Sequence, residues 1–195
     1  MIFVVVGTQH NSFKRLLQKI QELIDKGIIK EEVIVQKGTT NFESKNMKLY
    51  DFISQDEFNK YIQKADIIIT HGGVSSIVAP LKLAKKVIAV PRIAKYGEHV
   101  NDHQKQIVEN FAKQGFIIGV EDMEELPKAI EHARNGFKPN KFDSNTDNIV
   151  KIIEDFIKDQ RRHLSLVFFW TRRDRWNKEI CTFDTMLKTH KFLNC

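Results

Sequence analysis

The first 160 residues of this 195-residue chain contain no cysteine. Neither a disulfide framework nor a thiolate metal site can stabilise that part, which fits a reducing compartment. The two cysteines, Cys181 and Cys195, lie in the last 35 residues with both tryptophans, and that segment holds none of the nine glycines or four prolines. This contrast predicts a domain over residues 1–160 and a distinct basic tail over residues 161–195.

The sequence also has little net charge outside the tail. Residues 161–195 hold eight of the 31 basic residues and three of the 25 acidic ones, which leaves the tail at +5 and residues 1–160 at +1. Binding to a nucleic-acid backbone needs clustered Lys and Arg, so we expect no nucleic-acid partner for the domain.

Several common signals are absent. The amino terminus lacks the basic segment and the cleavage site of a signal peptide, and its apolar run is too short to span a bilayer, so we expect a cytoplasmic protein. No Gly-x-Gly-x-x-Gly fingerprint or Walker sequence occurs, which argues against NAD and FAD. Neither an Asp-x-Asp sequence nor a Cys pair with metal-site spacing occurs, so we expect neither a metal requirement nor another cofactor.

Short β-branched runs alternate with helical patterns, which predicts one Rossmann-like α/β domain with a parallel sheet and helices on both faces. A Ser-x-x-Glu capping box at Ser54 and Glu57 marks one helix start. In such sheets ligands bind beyond the carboxyl ends of the strands. The predicted strands cover residues 2–6, 33–36, 48–52, 67–70, 87–90 and 116–120, and the predicted helices cover 12–26, 54–65, 75–83, 101–113, 123–135 and 145–158.

The loop after the first strand reads Gly-Thr-Gln-His at residues 7–10. A glycine at a strand exit lets the backbone approach a ligand, and the next helix's first turn offers free amide groups to an anion. We expect Asn11 or Ser12 to cap that helix. Gly7, Thr8 and Gln9 are candidate ligand contacts.

The loop after the fourth strand reads His-Gly-Gly-Val-Ser-Ser at residues 71–76. Two glycines followed by two hydroxyls at a helix start form a nest of free N–H groups, and the helix dipole adds positive potential. This pattern predicts a diphosphate site; the alternative is an ordinary glycine-rich turn with a serine cap. The candidate contacts are His71, Gly72, Gly73, Ser75 and Ser76, of which His71 either contacts the ligand or hydrogen-bonds the turn.

The loop after the fifth strand carries many polar side chains up to residue 104. Recognition of sugar hydroxyl groups needs such a mixture of donors and acceptors. The alternative is that Asn101 or Asp102 only caps the following helix. The candidate substrate contacts in this loop are Arg92, Glu98, His99, Asn101, Asp102 and Gln104.

Four motifs together resemble the small Alg-type glycosyltransferases related to the carboxy-terminal domain of glycosyltransferase family 28. They are Val-Gly-Thr-Gln at residues 6–9, His-Gly-Gly at 71–73, Val-Pro-Arg at 90–92 and Glu-His-Val-Asn-Asp-His-Gln at 98–104. The resemblance covers residues 1–158. Its bacterial members serve capsule and exopolysaccharide synthesis, and its eukaryotic member belongs to a two-subunit transferase that adds the second N-acetylglucosamine to dolichol-linked sugar.

The resemblance implies the carboxy-terminal half of a GT-B fold, which binds a UDP-sugar. A separate membrane-bound subunit would supply the acceptor-binding domain and hold the protein at the inner face of the cell membrane. The implied reaction is inverting, metal-free transfer of galactose or N-acetylglucosamine to a polyprenyl-diphosphate-linked saccharide, with galactose preferred for bacterial polysaccharide synthesis. The alternative is a non-catalytic UDP-sugar-binding or regulatory subunit.

The resemblance also implies individual roles. His10 is a candidate general base by position, and the base can instead belong to the partner. One departure is Ala79, where related proteins often have a glutamate that contacts the ribose; Pro80 beside it would remove a hydrogen bond from the predicted helix. The implied diphosphate contacts are Gly7, Thr8, Gly73, Ser75 and Ser76, and the implied sugar contacts are Asp102 and Gln104.

The tail contains an apolar segment, residues 164–170, between two pairs of arginines. The segment is too short to span a bilayer, but its composition suits an interface with anionic headgroups. Docking onto the membrane subunit is a second interpretation. A third is that the tail is not native, because the composition changes abruptly where the resemblance ends.

Overall fold

A six-stranded parallel sheet organises residues 1–143, which are the residues that the computed structural model describes. The strands are β1 (Ile2–Val5), β2 (Val33–Gln36), β3 (Lys48–Tyr50), β4 (Ile67–His71), β5 (Lys86–Val90) and β6 (Ile118–Gly119). Their spatial order is β3-β2-β1-β4-β5-β6, which is the Rossmann order. The Rossmann-like parallel sheet predicted from the sequence is confirmed.

Helices connect these strands and cover both faces of the sheet. The helices are α1 (Lys14–Asp25), α2 (Gln55–Lys64), α3 (Val74–Leu81), α4 (His103–Lys113) and α5 (Leu126–Asn135), with short 3-10 turns at Ala94–Tyr96 and Met123–Glu125. No helix among residues 1–143 is long and apolar enough to cross a membrane. The predicted helix over 145–158 and the tail over 161–195 lie outside the described residues.

Side-chain alternation along the strands divides the core into two layers. Alternate residues such as Val4 and Ile69 pack with α1 and α5, whereas their neighbours pack on the opposite face. There, Phe3 and Ile68 contact α2, and Val87 and Ala89 contact α3 and α4. The strands are apolar on both faces because helices cover both.

Several predicted boundaries shift by a few residues. The Ser54–Glu57 capping box forms as predicted and starts α2. The expected capping of α1 by Asn11 or Ser12 is wrong: the N–H of Phe13 donates to Thr40 Oγ1 at 3.1 Å, and the Asn11 amide instead donates to the carbonyl of Gly97. Helix α1 therefore begins at Lys14 rather than at residue 12.

The two outer strands are shorter than the sequence predicts. β3 ends at Tyr50, so Phe52 leaves the sheet, and β6 pairs with β5 over only two residues. Pro80 is the next-to-last residue of helix α3. Because Pro80 has no N–H, only one hydrogen bond of the final turn is lost, and the short helix persists.

Candidate functional site

A cavity of about 510 Å³ opens at the carboxyl ends of the central strands, on the face covered by α2 and α3. Six of the residues predicted from the sequence line it, so the first and fourth loops converge as expected. The lining residues are Val5, Gly7, Thr8, Gln36, Phe52, Ile53, Gln55, Phe58, His71, Gly73, Val74, Ser75, Ser76 and Ala79.

The imidazole of His71 lies between two glycines on the wall of this cavity. A Cβ atom at Gly7 would come within 2.8 Å of the His71 ring, and one at Gly73 would overlap its Nε2. Gly7 also has a φ of +86°, which side chains rarely adopt. The ring can therefore occupy this position only because both neighbours lack a side chain.

The hydrogen bonds of His71 favour one tautomer. Nδ1 lies 3.4 Å from the carbonyl oxygen of Val5 and 3.4 Å from Oγ of Ser76. The Ser76 hydroxyl itself donates to the carbonyl of Gly73 at 2.9 Å, so the proton between these groups belongs on Nδ1. Nε2 has no hydrogen-bond partner among residues 1–143 and remains an acceptor for a ligand.

Burial is the main reason why the pKa of His71 falls from its ordinary 6.5 to about 4, and the positive charge of Arg92 lowers it further. The imidazole is therefore neutral at physiological pH. A neutral ring accepts a hydrogen bond through Nε2 but adds no positive charge for an anion.

This pKa predicts a pH-dependent loss of stability. The unfolded chain binds the proton first as the pH falls, so stability that is present above pH 6.5 is lost as the pH approaches 4. Between pH 7.5 and 4.5 we expect His71 to account for about 2 kcal/mol of this loss. Urea unfolding of the wild type and of His71→Gln at both pH values isolates this contribution, and equal losses in the two proteins would contradict the lowered pKa.

The start of α3 offers amide groups to the cavity. Gly73 is the N-cap residue and provides no side-chain cap, and the first backbone bond of the helix runs from the N–H of Ile77 to the carbonyl of Gly73. The alternative of a serine cap does not hold, because α3 has no side-chain cap hydrogen bond and Ser76 donates to the Gly73 carbonyl. The N–H groups of residues 74–76 thus have no partner within residues 1–143 and suit an anion.

In the loop after β5, two polar side chains that were predicted to contact the substrate bind other parts of the protein instead. Arg92 is fully buried, and its guanidinium donates to the carbonyl oxygens of Val6, Asn11 and Glu98 at 2.6–3.0 Å. The carboxylate of Glu98 accepts two hydrogen bonds from Arg15 and one from the N–H of Ile93. Arg92 and Glu98 therefore hold loops together, and neither lines the cavity.

The Asp-x-Gln pair of this loop also contacts the protein itself. Asp102 accepts from the N–H of Ala94 at 2.8 Å and lines a separate cavity of about 570 Å³. Gln104 is buried, and its Oε1 accepts from the N–H of Arg92 at 3.1 Å, while its Nε2 has no partner in the described part of the chain. Asn101, rather than Asp102, accepts from the N–H of the first α4 residue, so the capping alternative holds for Asn101.

The remaining candidate residues lie beside the cavity rather than in its lining. Gln9 and His99 contact each other through their Nε2 atoms at 3.2 Å, and His10 is exposed. Gly72 packs against Gln104, where a Cβ would approach to 2.8 Å. Their predicted roles in substrate binding, and that of His10 as a base, stay predictions.

Sequence reasoning missed the apolar end of the cavity. Phe52, Ile53 and Phe58 line that end, and the Phe52 side chain is 56% exposed. An exposed aromatic ring beside a cavity offers a face for stacking. The available signal was the position of residue 52 just beyond a predicted strand, at the same sheet edge as the glycine loops.

Ala79 lines the cavity with a methyl group, so the carboxylate that related proteins often have at this position is absent. No group of three or more His, Cys, Asp or Glu that could hold a metal occurs within residues 1–143. The predicted absence of a metal requirement stays a prediction.

Residues 1–159 match the family model of the glycosyltransferase family 28 C-terminal domain. Over 81 residues the chain is 30% identical to the UDP-N-acetylglucosamine transferase subunit ALG13 of Candida albicans, covering 42% of this chain and 26% of the relative. Over 112 residues it is 25% identical to the protein of the same name from Debaryomyces hansenii, covering 56% and 50%. The matched segments thus span between about a quarter and a half of these relatives.

Among solved structures, an NMR structure of ALG13 superimposes with a TM-score of 0.51 at 19% identity. The match covers 75% of this chain and 91% of that chain. At this identity the similarity supports the fold.

Proposed function

The chain belongs to the glycosyltransferase family 28 C-terminal domain family, and from this premise we propose that it is the UDP-sugar-binding, catalytic subunit of a two-component glycosyltransferase. The observation that carries the proposal is the cavity in which a glycine-lined strand exit, free helix amides and an exposed aromatic ring converge. A nucleoside diphosphate has matching parts: an anionic diphosphate and a flat apolar base.

The diphosphate is proposed to bind at the start of α3. The N–H groups of residues 74–76, which have no partner within residues 1–143, and the positive end of the helix would neutralise it without a metal. Thr8 and Ser75 are exposed at this end and can donate hydroxyl protons to phosphate oxygens. The base would then stack on Phe52 at the other end of the cavity.

We propose N-acetylglucosamine as the transferred sugar, in preference to galactose. Both curated relatives are named UDP-N-acetylglucosamine transferase subunits, which supports this choice. Nε2 of Gln104, which has no partner within residues 1–143, is the proposed contact for a sugar hydroxyl or acyl oxygen. The role in bacterial capsule or exopolysaccharide synthesis gains no support from these yeast relatives.

The partner and the acceptor are also proposals. The word "subunit" in the names of both relatives supports a second polypeptide. We propose that this polypeptide is membrane-bound, binds a lipid-linked saccharide acceptor and keeps the chain at the cytoplasmic face of the membrane. Because the general base can belong to that partner, His10 remains only a candidate for it.

A transfer assay tests the proposal. Membranes from source cells that lack this chain are supplied with the purified chain and radiolabelled UDP-N-acetylglucosamine, and label in the lipid extract is measured. We expect label to appear only when the chain is added, and labelled UDP-galactose to give less. No label with either donor, together with intact UDP binding, would favour the non-catalytic nucleotide-binding subunit instead.

A further inference from the structure

Gln36 is a buried polar side chain at the end of β2, and only 8% of it is exposed. Its backbone is fully used in the sheet, since its carbonyl accepts from the N–H of Val6 at 3.1 Å and the residue pairs with Val5 and Tyr50. Its side-chain amide, in contrast, has no hydrogen-bond partner among residues 1–143. The amide is not sealed in the core: among the described residues, the fully enclosed side-chain atoms without a partner are Thr70 Oγ1 and Arg92 Nε, whereas Gln36 lines the cavity.

Because side chains along β2 alternate between the two faces of the sheet, the Gln36 amide lies on the face that carries the cavity. Ile34 and Gln36 lie on the same face of the sheet, and Ile34 packs in the core with Phe3 and Val5. Gln36 comes one step further along the strand, where the core ends and the cavity begins, and it is one of the lining residues. An apolar residue there would continue the core, whereas a glutamine presents a donor and an acceptor to whatever fills the cavity.

The position of β2 indicates which part of the ligand Gln36 meets. β2 lies between β3, which leads to Phe52, and β1, which leads to Gly7. The apolar end of the cavity is therefore on one side of Gln36, and the amide groups for the diphosphate are on the other. In a nucleoside diphosphate, the groups between the stacked face of the base and the phosphates are the polar groups of the nucleoside, namely those of the ribose and of the base edge.

We infer that Gln36 binds the nucleoside part of the donor through its side-chain amide, an inference that rests on the proposed UDP site. The amide can donate and accept at once, as the polar groups of uracil and ribose require. Binding of UDP then gives this amide a hydrogen-bond partner that residues 1–143 do not supply. Inorganic pyrophosphate, which lacks a nucleoside, makes no such contact.

The test compares UDP with inorganic pyrophosphate by calorimetry. Gln36→Met keeps the length of the side chain but removes its donors and its acceptor, and Gln36→Leu serves if the methionine variant does not fold. The matched control is Gln18→Leu on the exposed surface of α1, outside this cavity. We expect Gln36→Met to weaken UDP binding about 10-fold and to leave pyrophosphate binding unchanged.

Each other outcome has a distinct meaning. If Gln36→Met binds UDP as tightly as the wild type, the inference is wrong while the UDP site stands. If UDP and pyrophosphate lose affinity together, Gln36 does not act on the nucleoside. If the wild type binds no UDP, the proposed function fails first, and the inference fails with it.

Discussion

Gly73→Ala is expected to weaken UDP binding by about 100-fold. The backbone of Gly73 has ordinary angles, with φ of −79° and ψ of 132°, so alanine brings no backbone strain. Its Cβ would instead overlap Nε2 of His71 and force the ring, or the first turn of α3, out of place. Because the proposed diphosphate site consists of the amide groups of that turn, a shift of about 1 Å is enough to misplace them.

Calorimetric titration with UDP measures this effect, and circular dichroism checks that the variant folds. Gly136→Ala is the control, because no atom lies within 4 Å of the Cβ position there and its φ of −176° suits any residue. We expect the control to bind UDP normally. Binding of UDP by Gly73→Ala within about threefold of the wild type would place the diphosphate elsewhere.

Arg92→Met is expected to lower the free energy of unfolding by about 3–5 kcal/mol, because hydrogen bonds from a buried charged group are lost. The change removes three hydrogen bonds and leaves the carbonyl oxygens of Val6 and Glu98 buried without their donor. Such a loss is a large part of the 5–15 kcal/mol that is typical of whole domains. Arg92→Lys should recover little, because an ammonium group cannot reproduce the fork of a guanidinium.

Urea unfolding at pH 7 measures this loss, with Lys95→Met as an exposed control on the same loop. We expect the control to change stability by less than about 0.5 kcal/mol. A ligand contact would show the opposite pattern, with weaker UDP binding and unchanged stability. That pattern would restore the sequence-based role of Arg92 as a substrate contact.

The sheet could be predicted from sequence because its signals are local. Runs such as Ile67–His71 are short and β-branched, and the Ser54–Glu57 capping box needs only four residues to be recognised. The convergence of the first and fourth loops could be predicted because the carboxyl ends of parallel strands share one edge. Gly7, His71 and Gly73 accordingly line one cavity.

The rest of the site depends on contacts between distant residues, which a single sequence does not reveal. Arg92 looks like a substrate contact in a polar loop, but it reaches the carbonyl of Val6, 86 positions away. Gln36 lies at a strand end that carries no recognisable motif, and only the fold shows that this residue lines the cavity. Phe52 lies in the strand predicted over residues 48–52, but β3 ends two positions earlier, at Tyr50.

Calorimetric titration of the purified chain with UDP is the most direct test of the central claim that this cavity binds a uridine nucleotide. We expect one site per chain, with UMP binding about 10-fold more weakly because it lacks the second phosphate. We also expect Gly73→Ala to abolish most of the heat. No detectable binding of UDP at about 1 mM to the folded wild type would contradict the account.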